Sequence, residues 1–312
     1  MVLLLKGKEG YYVDLKTGEV LNLMDSDWDY LIILDACRYD YFRGLYESLL
    51  KNKVKGKLRK VCSPASNTIE WAKKVFKGKY PDVVYVSANP WINSKVPIAG
   101  FYAGEHFYRI VDIWERGWDD ELSTVHPKVV NSYVKIIRKL YPRKKLIIHY
   151  LQPHFPYIVF QRLRLNNYNK LFDTRPTGIQ AFQKRSFTER IKGFLFWRRV
   201  ELVEKAFKNR DQGNLKFATV LGKIAYKVSD TKSNPTSIVG THISIKALRL
   251  AYSHNLMLVM LYVLRLLKEI VGRILIISDH GELLGEYYLF DHFEGSNIPE
   301  LRIVPWLEIK TD

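Results

Sequence analysis

The stretch at 273–286, RILIISDHGELLGE, decides the fold of this chain. Its first five residues are mostly apolar and β-branched and follow a long helical pattern, so they predict a buried strand of an α/β sheet. The strand ends just before Asp279 and His280. Catalytic groups of open α/β sheets gather beyond such strand ends, and a carboxylate beside an imidazole suits one divalent cation. The dipeptide alone fits a capped loop with a surface histidine equally well.

A second buried strand is predicted at 28–34, WDYLIIL, and it ends in Asp35. The residues after Asp35 begin a helix that continues through Leu50. A carboxylate at the exit of an apolar strand is either a helix cap or a metal ligand. From this stretch alone, the cap is the favoured interpretation.

A loop and a helix follow at 61–78, VCSPASNTIEWAKKVFKG. Apolar residues recur on one face from Ile69 to Phe76, which predicts a helix after a run of small polar residues. A hydroxyl at such a helix start lies beside backbone N–H groups and the positive end of the helix dipole, where a transferring phosphoryl group is best held. Ser66 and Thr68 are both candidates, and simple helix capping is the alternative.

Further strands are predicted at 83–87 and 145–151, and the second runs into the loop QPHFPY. His149 lies inside that strand, where a hydrogen-bonded core histidine is expected, whereas His154 lies beyond its end. Elsewhere, turn residues and periodicity predict a hairpin, an amphipathic helix and an edge strand with Pro305 inside it. These three elements cover 11–23, 127–140 and 301–309.

The chain is strongly basic, with a formal net charge of +17 and a sequence pI of about 9.6. Between 161 and 230, sixteen Lys and Arg stand against six Asp and Glu, a net of +10. Such a balance favours acidic partners: nucleic acid, an anionic membrane surface or a phosphorylated substrate. The surrounding region, about 159–244, has the composition of basic amphipathic helices, for which a solvated surface is the plainer explanation.

The two cysteines, Cys37 and Cys62, are too few for a disulfide framework, which favours a reducing compartment. The apolar run at the start is too short for a signal peptide. The longest apolar stretch, 255–271, falls short of the roughly 20 residues that span a bilayer. These observations predict a cytoplasmic protein without a transmembrane segment.

Three of these stretches together resemble a known group of proteins. SDHGE, followed by a second Gly-Glu pair, resembles the C-terminal metal-binding motif of the alkaline phosphatase superfamily, especially its sulfatase-like members. LDACRYDYF resembles the opening motif of the same proteins. QPHFPY is similar to a His-Phe-Pro-Tyr segment of lipoteichoic-acid-synthase-like phosphotransferases. The resemblance implies a single α/β domain over 1–312, with a largely parallel central sheet flanked by helices and a basic helical insertion at about 159–244.

The resemblance also implies a site. Its metal ligands would be Asp35, Thr68, Asp279 and His280. Thr68 would be the nucleophile of a phosphoryl-ester hydrolase or phosphotransferase, since it precedes Gly78 by the ten residues common in sulfatase-like proteins, with Ser66 as the second choice. Arg38, His154 and His292 would hold phosphate oxygens or protonate the leaving group, and the reaction would pass through a phosphothreonine.

Several alternatives stay open at this stage. CSPAS resembles the sulfatase signature Cys-x-Pro-x-Arg, which would make Cys62 the precursor of a formylglycine, although Ser66 stands at the Arg position. Gln152 and Pro153 replace a motif of two-metal members, which favours one ion of Mn²⁺, Zn²⁺ or Ca²⁺. A catalytically silent protein that binds nucleic acid or an anionic membrane through 161–230 is the alternative from another class.

Overall fold

The computed structural model describes residues 10–162, 187–228 and 235–311 of the chain. Its strands form one large mixed sheet and two short hairpins. The strands are β1 Tyr12–Asp14, β2 Val20–Leu21, β3 Tyr30–Asp35, β4 Gly56–Cys62, β5 Tyr80–Ser87, β6 Phe107–Asp112, β7 Trp118–Asp119, β8 Thr124–Val125, β9 Lys145–Pro153, β10 Gly272–Ile277, β11 Leu283–Leu284, β12 Phe290–Asp291 and β13 Ile303–Thr311.

The helices of the described residues cover both faces of this sheet and build the insertion after β9. They are α1 Tyr39–Leu45, α2 Thr68–Val75, α3 Ile113–Arg116, α4 Pro127–Leu140, α5 Ile158–Arg162, α6 Phe187–Asn209, α7 Gln212–Val228, α8 Pro235–Ile238, α9 Ile245–Leu267 and α10 Pro299–Arg302. A π-helical turn, Tyr46–Leu50, continues α1 as far as the predicted helix end.

The strand order of the large sheet is β2-β1-β4-β13-β10-β3-β9-β5-β6. The five strands from β10 to β6 run parallel, and the four others pair antiparallel. In the parallel part, Leu31 of β3 lies between Leu275 of β10 and Ile147 of β9. The carboxyl ends of these three strands therefore meet at one edge. The predicted α/β architecture with a largely parallel centre is confirmed.

Two apolar layers bury the sheet. On one face, Ile32 and Ile148 belong to a fully buried cluster that α4 and α9 complete. On the other face, Leu31 and Ile147 pack in a cluster with Trp71 of α2. Successive strand residues thus point to opposite faces, and both faces are apolar, as expected of strands covered on both sides.

Helix α9 is longer than the apolar stretch that predicted it. Its 23 residues are long and apolar enough to cross a membrane by length and composition, although half of the relevant window is buried within the fold. Val259 and Val263 are fully buried in the cluster beneath the sheet, and the helix contacts β9 and α4. These core contacts account for the buried side of α9, whereas Leu250, Met257 and Leu261 are exposed.

Strand β13 corrects one prediction, because it is an interior strand and not an edge strand. It pairs antiparallel with β4 on one side and β10 on the other. Its pairing with β10 begins at Trp306, opposite Ile277, so Pro305 lies beyond the end of β10. Proline is tolerated there because the ladder toward β10 has not yet begun and needs no N–H from it.

The basic insertion is described in part. The predicted helical segments at 187–209 and 216–228 are α6 and most of α7, whereas 163–186 and 229–234 lie outside the described residues. Helices α6 and α7 contact each other. Val203 and Ala218 share a buried cluster with Leu289 and Ile298. The helical pair therefore packs on the segment that follows β10.

Gly281 lies where that segment leaves β10, against backbone carbonyls within α10. Its N–H donates to the carbonyl of Leu301 at 2.9 Å. A Cβ on this residue would lie 2.1 Å from the carbonyl oxygen of Glu300. Only glycine allows the two backbones to approach this closely.

We therefore expect Gly281→Ala to lower the free energy of unfolding by about 1–3 kcal/mol, because backbone has to move to admit the methyl group. Gly44→Ala is the matched control, since Gly44 is in α1 with nothing within 4 Å of the added Cβ. The control should be neutral or up to about 1 kcal/mol more stable. Urea denaturation of both variants makes the measurement, and equal stabilities would contradict the close approach.

Candidate active site

The predicted metal ligands meet at the carboxyl edge of β3 and β10. The Thr68 hydroxyl donates to Asp279 Oδ2 at 2.8 Å and lies 3.2 Å from His280 Nε2. His280 Nε2 is in turn 3.6 Å from Asp35 Oδ1. All four side chains are buried, and Asp279 and His280 are fully so. Four residues spread over 246 positions of sequence thus form one cluster, as the strand-end motifs predict.

Local backbone contacts hold the two carboxylates together. Ala36 adopts a left-handed conformation with φ of 56°, and its N–H donates to Asp279 Oδ1 at 3.2 Å. The N–H of Cys37 donates to the Ser278 hydroxyl at 2.7 Å. The hydroxyl of Ser63, before α2, bonds the carbonyl of Asp279. Each strand end is therefore fixed by its neighbour.

Thr68 is the first residue of α2, so its hydroxyl lies at the positive end of the helix dipole. Asn67 caps the helix by accepting the N–H of Glu70 at 2.8 Å. Capping is therefore carried out by Asn67, and the Thr68 side chain is directed to Asp279 instead. This division answers the open question of which polar residue caps α2.

Asn89 and His149 also face Asp35, although neither is predicted from the sequence to belong to the site. Asn89 donates to Asp35 Oδ2 at 2.6 Å. His149 is fully buried; its Nδ1 lies 2.8 Å from the Tyr85 hydroxyl, but its Nε2 lies 3.8 Å from Asp35 Oδ2 without a hydrogen bond. One ring nitrogen of His149, Nδ1, thus has a hydrogen-bond partner in the core. The ring also lies close enough to Asp35 and Asp279 to bind a metal ion together with them.

The electrostatics of this cluster fit a cation. Burial and the Asp279 charge raise the pKa of Asp35 well above its usual value. Burial also acts to raise the pKa of Asp279, but His280, His149 and the Thr68 hydrogen bond together lower it. Burial lowers the pKa of His280 to about 3, so its imidazole stays neutral.

One buried oxygen at this site has no hydrogen-bond partner among the described residues, namely Asp35 Oδ1. An orphaned carboxylate oxygen beside a second carboxylate and a neutral imidazole is a donor set that suits a divalent cation. Mn²⁺, Zn²⁺ and Ca²⁺ differ in their preference for nitrogen and oxygen, and this mixed set is closest to Zn²⁺ and Mn²⁺.

His154 and His292 lie beside this cluster, as predicted. The rings of His280 and His292 have centroids 4.2 Å apart, and those of His154 and His292 are 5.2 Å apart. His292 Nδ1 lies 3.0 Å from Asp291 Oδ1 and 3.5 Å from Glu282 Oε2. Burial acts to lower the pKa of His292, but these two carboxylates raise it well above its usual value.

Arg38 is brought to the same region, but its guanidinium is held by carboxylates. It bonds Asp40 at 3.0 and 2.7 Å and Glu286 at 2.8 Å, and it also donates to the carbonyl of Glu282. Its donors therefore fix the segment after β10 to the start of α1. A direct contact between Arg38 and a phosphate oxygen stays a prediction.

Ser66, the second candidate nucleophile, lies in a clamp together with Glu70. Its hydroxyl contacts Glu70 Oε2 at 3.1 Å and the carbonyl of Phe293 at 2.8 Å, and it accepts the N–H of Ser296 at 3.0 Å. Glu70 Oε2 also accepts the N–H groups of Ser66 and Gly295. These bonds join the start of α2 to the loop that follows His292, so the Ser66 hydroxyl is used for structure.

Cys62 is buried at the end of β4. It packs with Val13, Leu15 and Ile303, and its sulfur lies 3.6 Å from the carbonyl of Ser63. Burial raises the pKa of its thiol. Apart from the Arg302 guanidinium, which acts to lower the pKa of the thiol, Cys62 contacts apolar side chains and backbone, whereas the Thr68 hydroxyl contacts Asp279 and His280.

Sequence comparisons find no relative: no family model matches the chain, and no curated protein matches it. Solved structures do match. The integral membrane protein lipooligosaccharide phosphoethanolamine transferase A (EptA) from Neisseria meningitidis aligns with a TM-score of 0.50 at 10% identity over 98% of this chain. The alignment covers 51% of that protein, so this chain spans about half of its length.

Two isolated domains also align, with lower scores. The soluble domain of the same Neisseria transferase matches with a TM-score of 0.45 and 10% identity over 91% of this chain and 76% of that one. The C-terminal periplasmic domain of EcEptC from Escherichia coli, solved in complex with Zn, matches with a TM-score of 0.46 and 10% identity over 96% and 76% of the two chains.

The comparison with the integral membrane transferase overturns the predicted cytoplasmic location. That solved protein, which shares the fold with a TM-score of 0.50, is described as an integral membrane protein. The prediction was wrong because it relied on the low cysteine count and on apolar runs judged too short for a signal peptide or a bilayer span. A chain of this size buries a core large enough to need no disulfides in any compartment, so two buried free cysteines carry no information on location.

The agreement in fold extends over nearly the whole chain, although one residue in ten is identical. It confirms, at the level of the fold, the resemblance that the strand-end motifs indicate. The chain has the alkaline-phosphatase-like fold, which it shares with this phosphoethanolamine transferase.

Proposed function

We propose that this protein is a metal-dependent phosphoryl-ester hydrolase or phosphotransferase with Thr68 as its nucleophile. The observation that carries the proposal is the Thr68 hydroxyl, at the first residue of α2, within 2.8 Å of Asp279 and 3.2 Å of His280. A hydroxyl with only a structural role would not need two buried, ionisable partners beyond the end of β10.

Three residues would hold the metal, namely Asp35, Asp279 and His280, with His149 beside them. When bound there, a divalent cation lowers the pKa of a neighbouring hydroxyl and offsets the charge of a phosphate ester. Asn89 keeps the Asp35 carboxylate in place by donating to the oxygen that His280 does not approach. The side chains that would hold the metal are therefore in place before substrate arrives.

The remaining residues would act on the ester. Thr68 lies at the start of α2, so its helix dipole favours the negative phosphoryl group that the hydroxyl attacks. Asp279 accepts the hydroxyl hydrogen bond and orients the attacking oxygen. His154 and His292 lie next to His280 and would hold phosphate oxygens or protonate the leaving oxygen. Attack by Thr68 expels the alcohol and leaves a phosphothreonine.

The second half of the reaction releases the phosphoryl group from Thr68 to water or to another alcohol. The solved protein that shares the fold with a TM-score of 0.50 is named as a phosphoethanolamine transferase. This name favours transfer to an alcohol over hydrolysis, and a phosphodiester over a monoester. A sulfatase reaction through Cys62 is disfavoured because that side chain packs against Val13 and Ile303.

A second candidate function, contact with an anionic membrane surface, is favoured by α7. Its inner face, with Leu215 and Ala218, is buried. Its outer face exposes a stripe of large apolar side chains: Phe217 at 55%, Val220 at 53%, Leu221 at 40% and Ile224 at 53%. Exposed lysines stand within this stripe at 216 and 223. An exposed apolar stripe with cations beside it is the arrangement that binds a headgroup boundary, whereas nucleic acid has no support from the comparisons.

The catalytic proposal predicts metal-dependent cleavage that requires Thr68. With Mn²⁺ or Zn²⁺, the protein should cleave bis-p-nitrophenyl phosphate or p-nitrophenyl phosphate in preference to p-nitrophenyl sulfate. Thr68→Ala should lower the rate at least about a hundredfold, because it removes the attacking oxygen. Cys62→Ala and Ser66→Ala, each with its fold checked by a thermal melt, are the controls. Activity that survives Thr68→Ala but is lost in Cys62→Ala would refute the threonine mechanism.

The membrane proposal predicts sedimentation with vesicles that contain phosphatidylglycerol but not with vesicles of phosphatidylcholine alone. The double variant Phe217→Glu and Ile224→Glu should weaken binding roughly tenfold or more, since each large apolar side chain contributes about 1.5–3 kcal/mol when buried. Ile136→Glu, on α4 and 56% exposed, is the matched control. Equal binding by the wild type and the α7 variant would exclude this surface.

A further inference from the structure

One carboxylate of the basic insertion, that of Glu204 on α6, is bonded to the loop 293–297, which lies between β12 and α10. Its Oε1 atom accepts the Ser296 hydroxyl at 2.8 Å and the Asn297 N–H at 2.9 Å. Ser296 is buried, with 2% of its surface exposed. The insertion therefore holds the end of this loop by two hydrogen bonds to a single oxygen.

The same helix also contacts the beginning of the loop. The rings of Phe196 and Trp197 lie edge-on to the ring of Phe293, at centroid distances of 5.5 and 5.6 Å. The carbonyl of Phe293 accepts the Ser66 hydroxyl at 2.8 Å. Helix α6 thus restrains both ends of the loop, and the loop is bonded to the residues that precede α2.

The loop 293–297 fixes the chain on both sides of Thr68. The N–H of Ser296 donates to the Ser66 hydroxyl oxygen at 3.0 Å. The N–H of Gly295 donates to Glu70 Oε2 at 3.1 Å, and the same oxygen accepts the N–H of Ser66 at 3.1 Å. Ser66 lies two residues before Thr68, and Glu70 lies two residues after it. A continuous hydrogen-bonded path therefore runs from α6 to the proposed nucleophile.

Packing of α6 on the rest of the protein does not require the Glu204 carboxylate. Val203 and Ala206 of this helix are fully buried in one cluster with Leu283 and Ile298. These apolar contacts hold the helix in place, since burial of large apolar side chains is the main source of such attachment. The two hydrogen bonds of Glu204 add a defined position for the loop.

A second acidic residue of α6 shows the difference between a surface carboxylate and this one. Glu201 lies one turn before Glu204 and pairs with Arg198 at 2.8 Å and Lys205 at 2.6 Å, all on the same helix. Glu204 forms no ion pair with any described residue, and its oxygen accepts donors of the loop instead. Two carboxylates three positions apart in a basic helix thus have different partners.

We propose that Glu204 is a positioning residue for Thr68 and that it acts through Ser296 and Ser66. The proposal rests on the proposed function, in which the Thr68 hydroxyl attacks the phosphate ester. Such an attack needs an oxygen that is held accurately, and a displacement of about 1 Å can lower a rate by about a hundredfold. The helical insertion is then part of the structure that supports catalysis, in addition to any contact that its outer surface makes.

Steady-state kinetics of the metal-loaded protein with bis-p-nitrophenyl phosphate test the proposal. Glu204→Ala should lower kcat about tenfold and change KM less than about twofold, because the attacking oxygen is displaced while the ester still binds. Metal content should equal that of the wild type, since Asp35, Asp279 and His280 keep their contacts. A thermal melt checks that the variant is folded, and Ser296→Ala, which removes one of the two donors, replaces a variant that is not.

Two variants of the same helix serve as controls. Glu204→Gln keeps an acceptor oxygen at the same reach, so its kcat should lie within about threefold of the wild type. Glu201→Ala removes a carboxylate from the helix surface and should leave kcat unchanged. Ser66→Ala breaks the next bond of the path and should lower kcat by about tenfold, well short of the loss in Thr68→Ala.

Amide hydrogen exchange of the peptide 61–73 gives a measurement that does not depend on activity. Glu204→Ala should speed exchange at the start of α2, because this turn loses its support, whereas Glu201→Ala should not. Exchange that is equal in the two variants would contradict the hydrogen-bonded path from α6 to α2.

The outcomes separate this proposal from the proposed function. A normal kcat in Glu204→Ala, together with an inactive Thr68→Ala, would overturn the positioning role and leave the threonine mechanism intact. A Glu204→Gln variant as slow as Glu204→Ala would also overturn it, because the negative charge and not the hydrogen bond would then matter. Cleavage that survives Thr68→Ala would overturn the proposed function, and the role of Glu204 with it.

Discussion

Two carboxylates, Asp35 and Asp279, are buried at the ends of neighbouring parallel strands, and their mutual repulsion is the constraint that the surrounding structure must satisfy. The structure accommodates this repulsion in two ways. The side-chain amide of Asn89 donates to Asp35, and the Ala36 N–H and the Thr68 hydroxyl donate to Asp279, so both carboxylates are fixed. One oxygen, Asp35 Oδ1, is left without a hydrogen bond among the described residues. A rigid site with two carboxylates, one of which has an oxygen without a hydrogen bond, is arranged to bind a cation.

Two loops and the helices α6 and α7 enclose this edge of the sheet and restrain the residues around the two carboxylates. The Ser66 and Glu70 clamp ties the start of α2 to the loop after His292. Arg38 ties the start of α1 to Glu286 on the other side. Helices α6 and α7 then cover the segment between them through Val203 and Ala218. Each contact removes freedom from a residue near the site, so the ligands need little reorganisation when a substrate binds.

Much of this arrangement could be predicted from the sequence, because apolar strands that end in polar residues are a local pattern. That pattern located Asp35, Asp279 and His280, and the parallel alignment of β3 and β10 brought them together as expected. Which strands pair with one another is not decided by the local sequence. The stretch that forms β13 is therefore predicted as an edge strand, although it pairs with β10 on one side and β4 on the other. The half-satisfied state of His149 depends on which side of β9 meets Asp35, and the position of Glu282 beside His292 depends on the β11–β12 hairpin. Neither feature has a signature in the sequence.

The central claim, that Thr68 carries the phosphoryl group, is tested most directly by mass spectrometry of one peptide. Trypsin cleavage after Lys60 and Lys73 releases 61–73, which contains Cys62, Ser66 and Thr68 together. The metal-loaded protein is mixed with an aryl phosphodiester and quenched in acid, and the peptide is fragmented. The account predicts a covalent phosphoryl adduct on Thr68 that is absent when the metal is removed. An adduct on Ser66, or a formylglycine in place of Cys62, would contradict it.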